Sequence, residues 1–405
     1  VPHDWSIEGE YNQDNPSGIA RAFLPTGTGW YRKDLTIDKL EKTDRYFIEF
    51  DGVYMNSSVY VNGQLLGNRP YGYISFSYNL TPHLKEGRNV IAVKADNSKS
   101  PSGRWYTGSG IYRHVWLTHT NSIYAEQWGT KVTTPSIDLE NKKAKILYES
   151  KLINSSSKSQ GINIKSDVLD NNENVISTNE KTYQIKDSLV FNQEFKVDNI
   201  NFWSPENPTL YSLNTKIYSG SQLIDDYTTP FGVRSIELKG SKGFFLNGKS
   251  IKFKGLSNHH DAGPVGAAVP DDVLYKRLIT LKEMGINALR TTHNPFSPEF
   301  YSMCDTLGIM VMDEVFDGWW TAKAEFDYGL YFDKWWKQDL TDFIKRDQNH
   351  PSVVIWSLGN EVRGFTAEQQ KEIIDFAKKV DDTRPYTQGN GYIAPHLDIA
   401  GFNGD

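Results

Sequence analysis

After residue 238, short apolar runs alternate with amphipathic stretches, and this alternation constrains the fold more than any other feature of the chain. Ile309-Met310-Val311-Met312 and Val353-Val354-Ile355 read as buried strands. Between them Trp336, Leu340, Phe343 and Ile344 fall on one helical stripe. Asp271 stands where a cap belongs before Leu274, Leu278, Leu281 and Met284, and Gly285 stops that helix. Ser297 and Pro298 start another helix, and Gly308 ends it. Thr366 and Gln369 have the spacing of a capping box before Ile373, Phe376, Ala377 and Val380. Strands separated by helices run parallel, most simply as a (β/α) barrel. Adding Ile251-Lys252-Phe253, Ala288-Leu289-Arg290, Tyr386-Thr387 and Leu397-Asp398-Ile399 brings the count to about six strands over residues 238–405. A full eightfold barrel takes about 250 residues. Residues 238–405 therefore read as a partial barrel, either a fragment or one completed by something else.

Residues 1–237 follow a different grammar. Tyr46–Phe50, Ser58–Val61 and Val90–Lys94 are short strands, and Asn62-Gly63 is a hairpin turn in which both residues tolerate positive φ. No helical period runs for more than a couple of turns, so this part reads as β-sandwiches. Near residue 120 the composition shifts toward Lys, Asn and Ser, as in Asn154-Ser155-Ser156-Ser157-Lys158-Ser159. This divides it into a first sandwich, 1–120, and a second, immunoglobulin-like one, 121–237.

A net charge of −6 offers no basic face for nucleic acid. No stretch approaches the roughly 18 apolar residues of a membrane span. The lone Cys304 excludes an internal disulfide and a cysteine-based zinc cage. The chain starts without Met and without a signal peptide. That leaves the compartment open: periplasmic or secreted if a leader has been removed, otherwise cytoplasmic. The sequence also leaves homo-oligomer formation open.

Barrel active sites lie at the C-terminal ends of the strands. The residues just after the strands are Asn258, His259, His260 and Asp261; then Arg290, Thr291, Thr292, His293 and Asn294; then Asp313 and Glu314, with Trp319 and Trp320; then Asn360 and Glu361. Four sets of polar and ionisable groups in register point to one mouth. Consecutive residues of extended chain point to opposite sides, which argues against His259 and His260 gripping one ion.

These residues carry a resemblance. Asn287-Ala-Leu-Arg-Thr-Thr-His-Asn-Pro through Met312, and Asp347 through Glu361, are similar to the two signatures of glycoside hydrolase family two, the β-galactosidase and β-glucuronidase group. Asn294 replaces the usual tyrosine, and Gln348 replaces a basic or bulky residue. Gly29-Trp-Tyr-Arg-Lys33 and Gly108-Ser-Gly-Ile-Tyr-Arg113 are similar to the family's first domain. The resemblance covers the whole chain and implies a jelly-roll sugar-binding domain, an immunoglobulin-like sandwich and a catalytic TIM barrel, the barrel truncated.

The resemblance implies a retaining exo-β-glycosidase that hydrolyses terminal β-D-galactosides, with Glu361 as general acid/base. A strand-end carboxyl in a partly desolvated pocket is suited to that role. Asn360 would hydrogen-bond the sugar 2-hydroxyl. His259 and His293 match the family's substrate-contacting histidines. Arg290 matches the arginine that steadies the nucleophile, or else forms a structural ion pair. Asp313 and Glu314 are expected to bind Arg290 or the mouth rather than to do chemistry. Arg104 either reaches into the mouth or makes an interdomain salt bridge, and Trp319 or Trp320 either offers a ring to a sugar or packs in the core. Metal-dependent relatives carry a Glu and a His where Gly318 and Trp320 align, so no active-site magnesium and no other cofactor is expected. Only 44 residues follow Glu361. Their carboxylates lie on the 366–382 helix, at Asp398 in an expected strand, or at Asp405, and none resembles the family nucleophile, which is therefore expected beyond residue 405. The alternatives are a β-glucuronidase of the same family and a non-hydrolytic carbohydrate-binding protein.

Overall fold

A computed structural model describes residues 1–390 and 395–403. Its N-terminal part is a sandwich of antiparallel sheets. One sheet orders Gly27–Ile37, Gly87–Asn97, Ser57–Val61 and Gln64–Arg69; the other orders Phe76–Asn79, Arg45–Phe50 and Val115–Thr120. Alternation explains the layers: Tyr46, Ile48 and Phe50 point inward onto Val59, Val61, Ile91 and Val93. Asn62 (φ 49°) and Gly63 (φ 83°) make the expected hairpin turn.

The second sandwich pairs a three-stranded sheet (Ile123–Asp138, Lys143–Asn154, Ser188–Val197) with a four-stranded one (Val175–Ile185, Gln160–Leu169, Tyr211–Ser219, Gln222–Phe231). It closes its own core around Ile146, Tyr148, Ile164, Phe195 and Leu213.

In the C-terminal part the elements run β1 (Gly255–Asn258), α1 (Asp271–Glu283), β2 (Ala288–Thr291), α2 (Pro298–Leu307), β3 (Met310–Glu314), α3 (Gly329–Asp347), β4 (Val353–Asn360), α4 (Ala367–Val380) and β5 (Tyr386–Gly389). The five strands are parallel and adjacent in chain order, the arc of a (β/α) barrel. All eight residues of β4 are buried, as expected for a strand covered on both faces.

Several expectations shift. Ile251–Phe253 is not a strand; β1 starts at Gly255. Asp271 is the first helical residue rather than the cap, which is Pro270, and Met284 is an exposed C-cap. Leu397–Ile399 is not a strand: Asp398 bends back to accept from the Tyr386 N–H (2.9 Å) and from Lys378 Nζ (2.8 Å). Among the described residues, only an isolated bridge from Gly389 to Gly401 continues beyond β5. Asp405 lies outside the described residues.

The sandwiches are locked onto the barrel by buried polar contacts. Arg69, on the first sandwich, pairs with Asp339 and Asp342 of α3 at 2.5 Å each. Arg113 donates to the carbonyls of Pro295 (2.7 Å) and Phe296 (3.1 Å). From the second sandwich, the Trp203 indole donates to the Asp305 carbonyl (2.9 Å), and Arg234 donates to Pro351 and Val353. No helix of the described residues is long and apolar enough to cross a membrane.

Candidate active site

The strand ends bring Arg290, His293, Asn360 and Glu361 to one mouth. β4 delivers Asn360 and then Glu361, whose backbone is left-handed (φ 43°), a region that non-glycine residues seldom adopt. The Glu361 N–H donates to the Gly389 carbonyl at 2.5 Å, tying the end of β4 to the end of β5. A cavity of about 510 Å³ is lined by Arg104, Ser257, Arg290, His293, Asn360, Glu361, Phe402 and Asn403. Glu361 is the only carboxylate among these lining residues.

Glu314, at the end of β3, is fully buried beneath this mouth. Its oxygens accept from Arg290 Nη2 (2.8 Å), His293 Nδ1 (2.6 Å) and Ser357 Oγ (2.7 Å). Arg290 also donates to Asn360 Oδ1 (3.0 Å) and Asn403 Oδ1 (3.2 Å). Asp313 faces away, accepting from Tyr301 OH (2.7 Å) and Thr291 Oγ1 (3.2 Å). Burial, then the neighbouring Asp347, raises its carboxyl well above the ordinary range.

A second network forms the wall. Arg104 reaches from the first sandwich and grips Asp317 with Nε (3.0 Å) and Nη2 (2.6 Å). Lys323 Nζ and Asn360 Nδ2 also donate to Asp317, at 3.0 Å and 2.9 Å. Burial alone would raise the Asp317 carboxyl, but Arg104, Lys323 and Asn360 hold it below the usual value. Arg104 thus realises both sequence alternatives, lining the mouth while making an interdomain ion pair.

His259 stands behind His293, with ring centroids 5.7 Å apart and perpendicular. Burial, then His293, lowers its pKa and favours the neutral ring. The Trp105 ring lies 5.4 Å from His259 and 5.6 Å from His293. Trp320 is not brought to the mouth: its indole donates to Asp333 (2.9 Å) and its ring packs on Phe332. Trp319 is fully buried. His260 is also buried, away from the mouth against Tyr73 and Tyr112.

Sequence reasoning missed Asp317, Lys323 and Asn403. Asp317 lies three residues beyond β3, and only its contact with Arg104 marks it as part of the wall. Lys323 and Asn403 stand in stretches without strand or helix, where nothing in the pattern marks direction.

Comparison with known proteins agrees along the whole chain. Three family models match: "Glycosyl hydrolases family 2, sugar binding domain" over residues 1–121, "Glycosyl hydrolases family 2" over 130–234, and "Glycosyl hydrolases family 2, TIM barrel domain" over 236–403. A beta-galactosidase of Bacteroides ovatus is 41% identical over 449 residues, covering all of this chain and 52% of its own length. A putative beta-glucuronidase of Formosa agariphila is 42% identical over 406 residues, covering all of this chain and 38% of its own length. A beta-glycosidase structure from Bacteroides vulgatus superposes with a TM-score of 0.94 at 46% identity, over 100% of this chain and 51% of that one. The chain spans about half the length, or less, of these relatives.

Proposed function

Because the chain belongs to glycosyl hydrolase family 2, we propose that it carries the sugar-binding and proton-donating part of a retaining exo-β-glycosidase acting on terminal β-D-galactosides. The observation that supports this is Glu361, a strand-end carboxylate lining the mouth with Asn360, Arg290, His293 and Arg104. In this reading Glu361 protonates the glycosidic oxygen and then deprotonates the incoming water. Asn360 meets the 2-hydroxyl with its side chain held by Arg290 and Asp317. His293 and the neutral His259 contact hydroxyls of the terminal sugar, with the Trp105 ring packed beside both histidines. No step uses a metal or cofactor.

A retaining mechanism needs a second carboxylate about 5–5.5 Å from the first. Glu314 is occupied by Arg290, His293 and Ser357, so we assign the nucleophile to a residue beyond position 405. β-Glucuronidase action is the second reading, favoured by the name of the Formosa agariphila relative.

The test is a panel of aryl β-glycosides on the whole protein. The galactoside is expected to have the highest kcat/KM; a preference for the glucuronide selects the second reading. Glu361→Gln should slow substrates with poor leaving groups by about 10²–10⁴-fold, and activated aryl glycosides far less. Equal losses on both would remove Glu361 from the acid/base role.

A further inference from the structure

The first sandwich also meets the barrel helices through a group of ionisable side chains remote from Glu361 in the chain and sharing none of the mouth's lining residues. His114 directly precedes the strand Val115–Thr120, Asp271 opens α1, and Glu299 is the second residue of α2. One ligand atom from each lies within 4.8 Å of the others. His114 Nε2 is 3.2 Å from Asp271 Oδ2 and 3.9 Å from Glu299 Oε1.

A simple His–Asp ion pair accounts for two of the three. It does not account for Glu299. At 3.9 Å its Oε1 is beyond hydrogen-bond range of the imidazole. Its Oε2 is buried and has no partner. Burying a carboxylate oxygen is costly unless a donor or a cation meets it. These residues border a small cavity of about 30 Å³, room enough for an ion or a water. His260 lines the same cavity; it is 7% exposed and neither ring nitrogen has a hydrogen-bond partner. Two independent buried polar groups are thus left unpaired around one space.

We propose that His114, Asp271 and Glu299 form a site for zinc or a similar first-row divalent cation, clamping the first sandwich to α1 and α2. One imidazole and two carboxylates suit zinc, whereas magnesium and calcium take oxygen ligands. Ligand atoms about 2.0–2.1 Å from a tetrahedral zinc lie roughly 3.3 Å apart; the 3.2 Å from His114 to Asp271 matches this, and Glu299, at 3.9 Å, needs only a small inward shift. Three protein ligands leave a fourth position for water, and the unpartnered ring of His260 is available on that cavity's wall.

The test is zinc chloride added to metal-free protein near pH 7.5, where a free imidazole is neutral, followed by equilibrium dialysis and thermal melting. One equivalent is expected to bind more tightly than magnesium or calcium and to raise the melting midpoint. His114→Ala and the shape-preserving Glu299→Gln should each weaken binding by at least about 10–100-fold, the loss caused by removing even an outer-shell partner. His119→Ala, which removes the surface His119–Asp44 pair, should leave binding unchanged. No uptake by the folded metal-free protein, uptake that survives both ligand variants, or equal binding of calcium overturns the proposal.

Discussion

Two glutamates show how much a residue depends on what surrounds it. Glu361 lines an open mouth, while Glu314 is locked beneath it by an arginine, a histidine and a serine. A third, Glu49, has no cation at hydrogen-bond distance. It belongs to the strand Arg45–Phe50, and burial, then the nearby Asp51, pushes its pKa up to about 7. The unfolded value is about 4.3. The folded state therefore holds the Glu49 proton more tightly, and ionising it in place weakens the fold as pH rises from about 4.3 through about 7. The cost is absent below that window and complete above it. Glu49→Gln should gain up to about 3 kcal/mol over wild type near pH 8 and only about 1 kcal/mol near pH 5. Urea titrations at the two pH values check this; a difference that does not change with pH would mean Glu49 titrates normally.

At the scale of elements, α4 shows what a local pattern can specify. The Thr366 hydroxyl accepts from the Gln369 N–H (3.2 Å), and the Gln369 side chain accepts from the Thr366 N–H (2.8 Å). Thr366→Ala should cost about 1 kcal/mol, read as a lower melting midpoint, because one of these two donors is orphaned while the Gln369 half remains. The helices were legible because their apolar stripes and end signals are local. β1 was misplaced by a few residues because Gly255–Asn258 has no apolar run, and three of its four residues are exposed. Leu397–Ile399 looked like a strand because its apolar residues flank Asp398, yet that aspartate's long-range bonds to Tyr386 and Lys378 decide its shape. The mouth residues were legible wherever a strand aimed them. Asp317 and Asn403 were not, because their roles come from Arg104 and Arg290, which are 213 and 113 positions away in sequence.

For the whole molecule, the first sandwich meets α3 through a buried charged cluster. Arg69→Ala would leave Asp339 and Asp342 buried together without their cation, although burial already raises Asp339 to about 6 despite Arg69. The expected loss is roughly 3–5 kcal/mol, measured by denaturant unfolding; a loss under about 1 kcal/mol would show that water reaches the pair, as at a surface site. The Arg104–Asp317 contact has a consequence in time. During synthesis the arginine emerges with the first sandwich, and its partner follows 213 residues later. At about 5–20 residues per second, that interval is roughly 10–40 s. Through it Arg104 has no Asp317 to pair with. Only after Asp317 has been made can this part of the pocket wall close against Arg104.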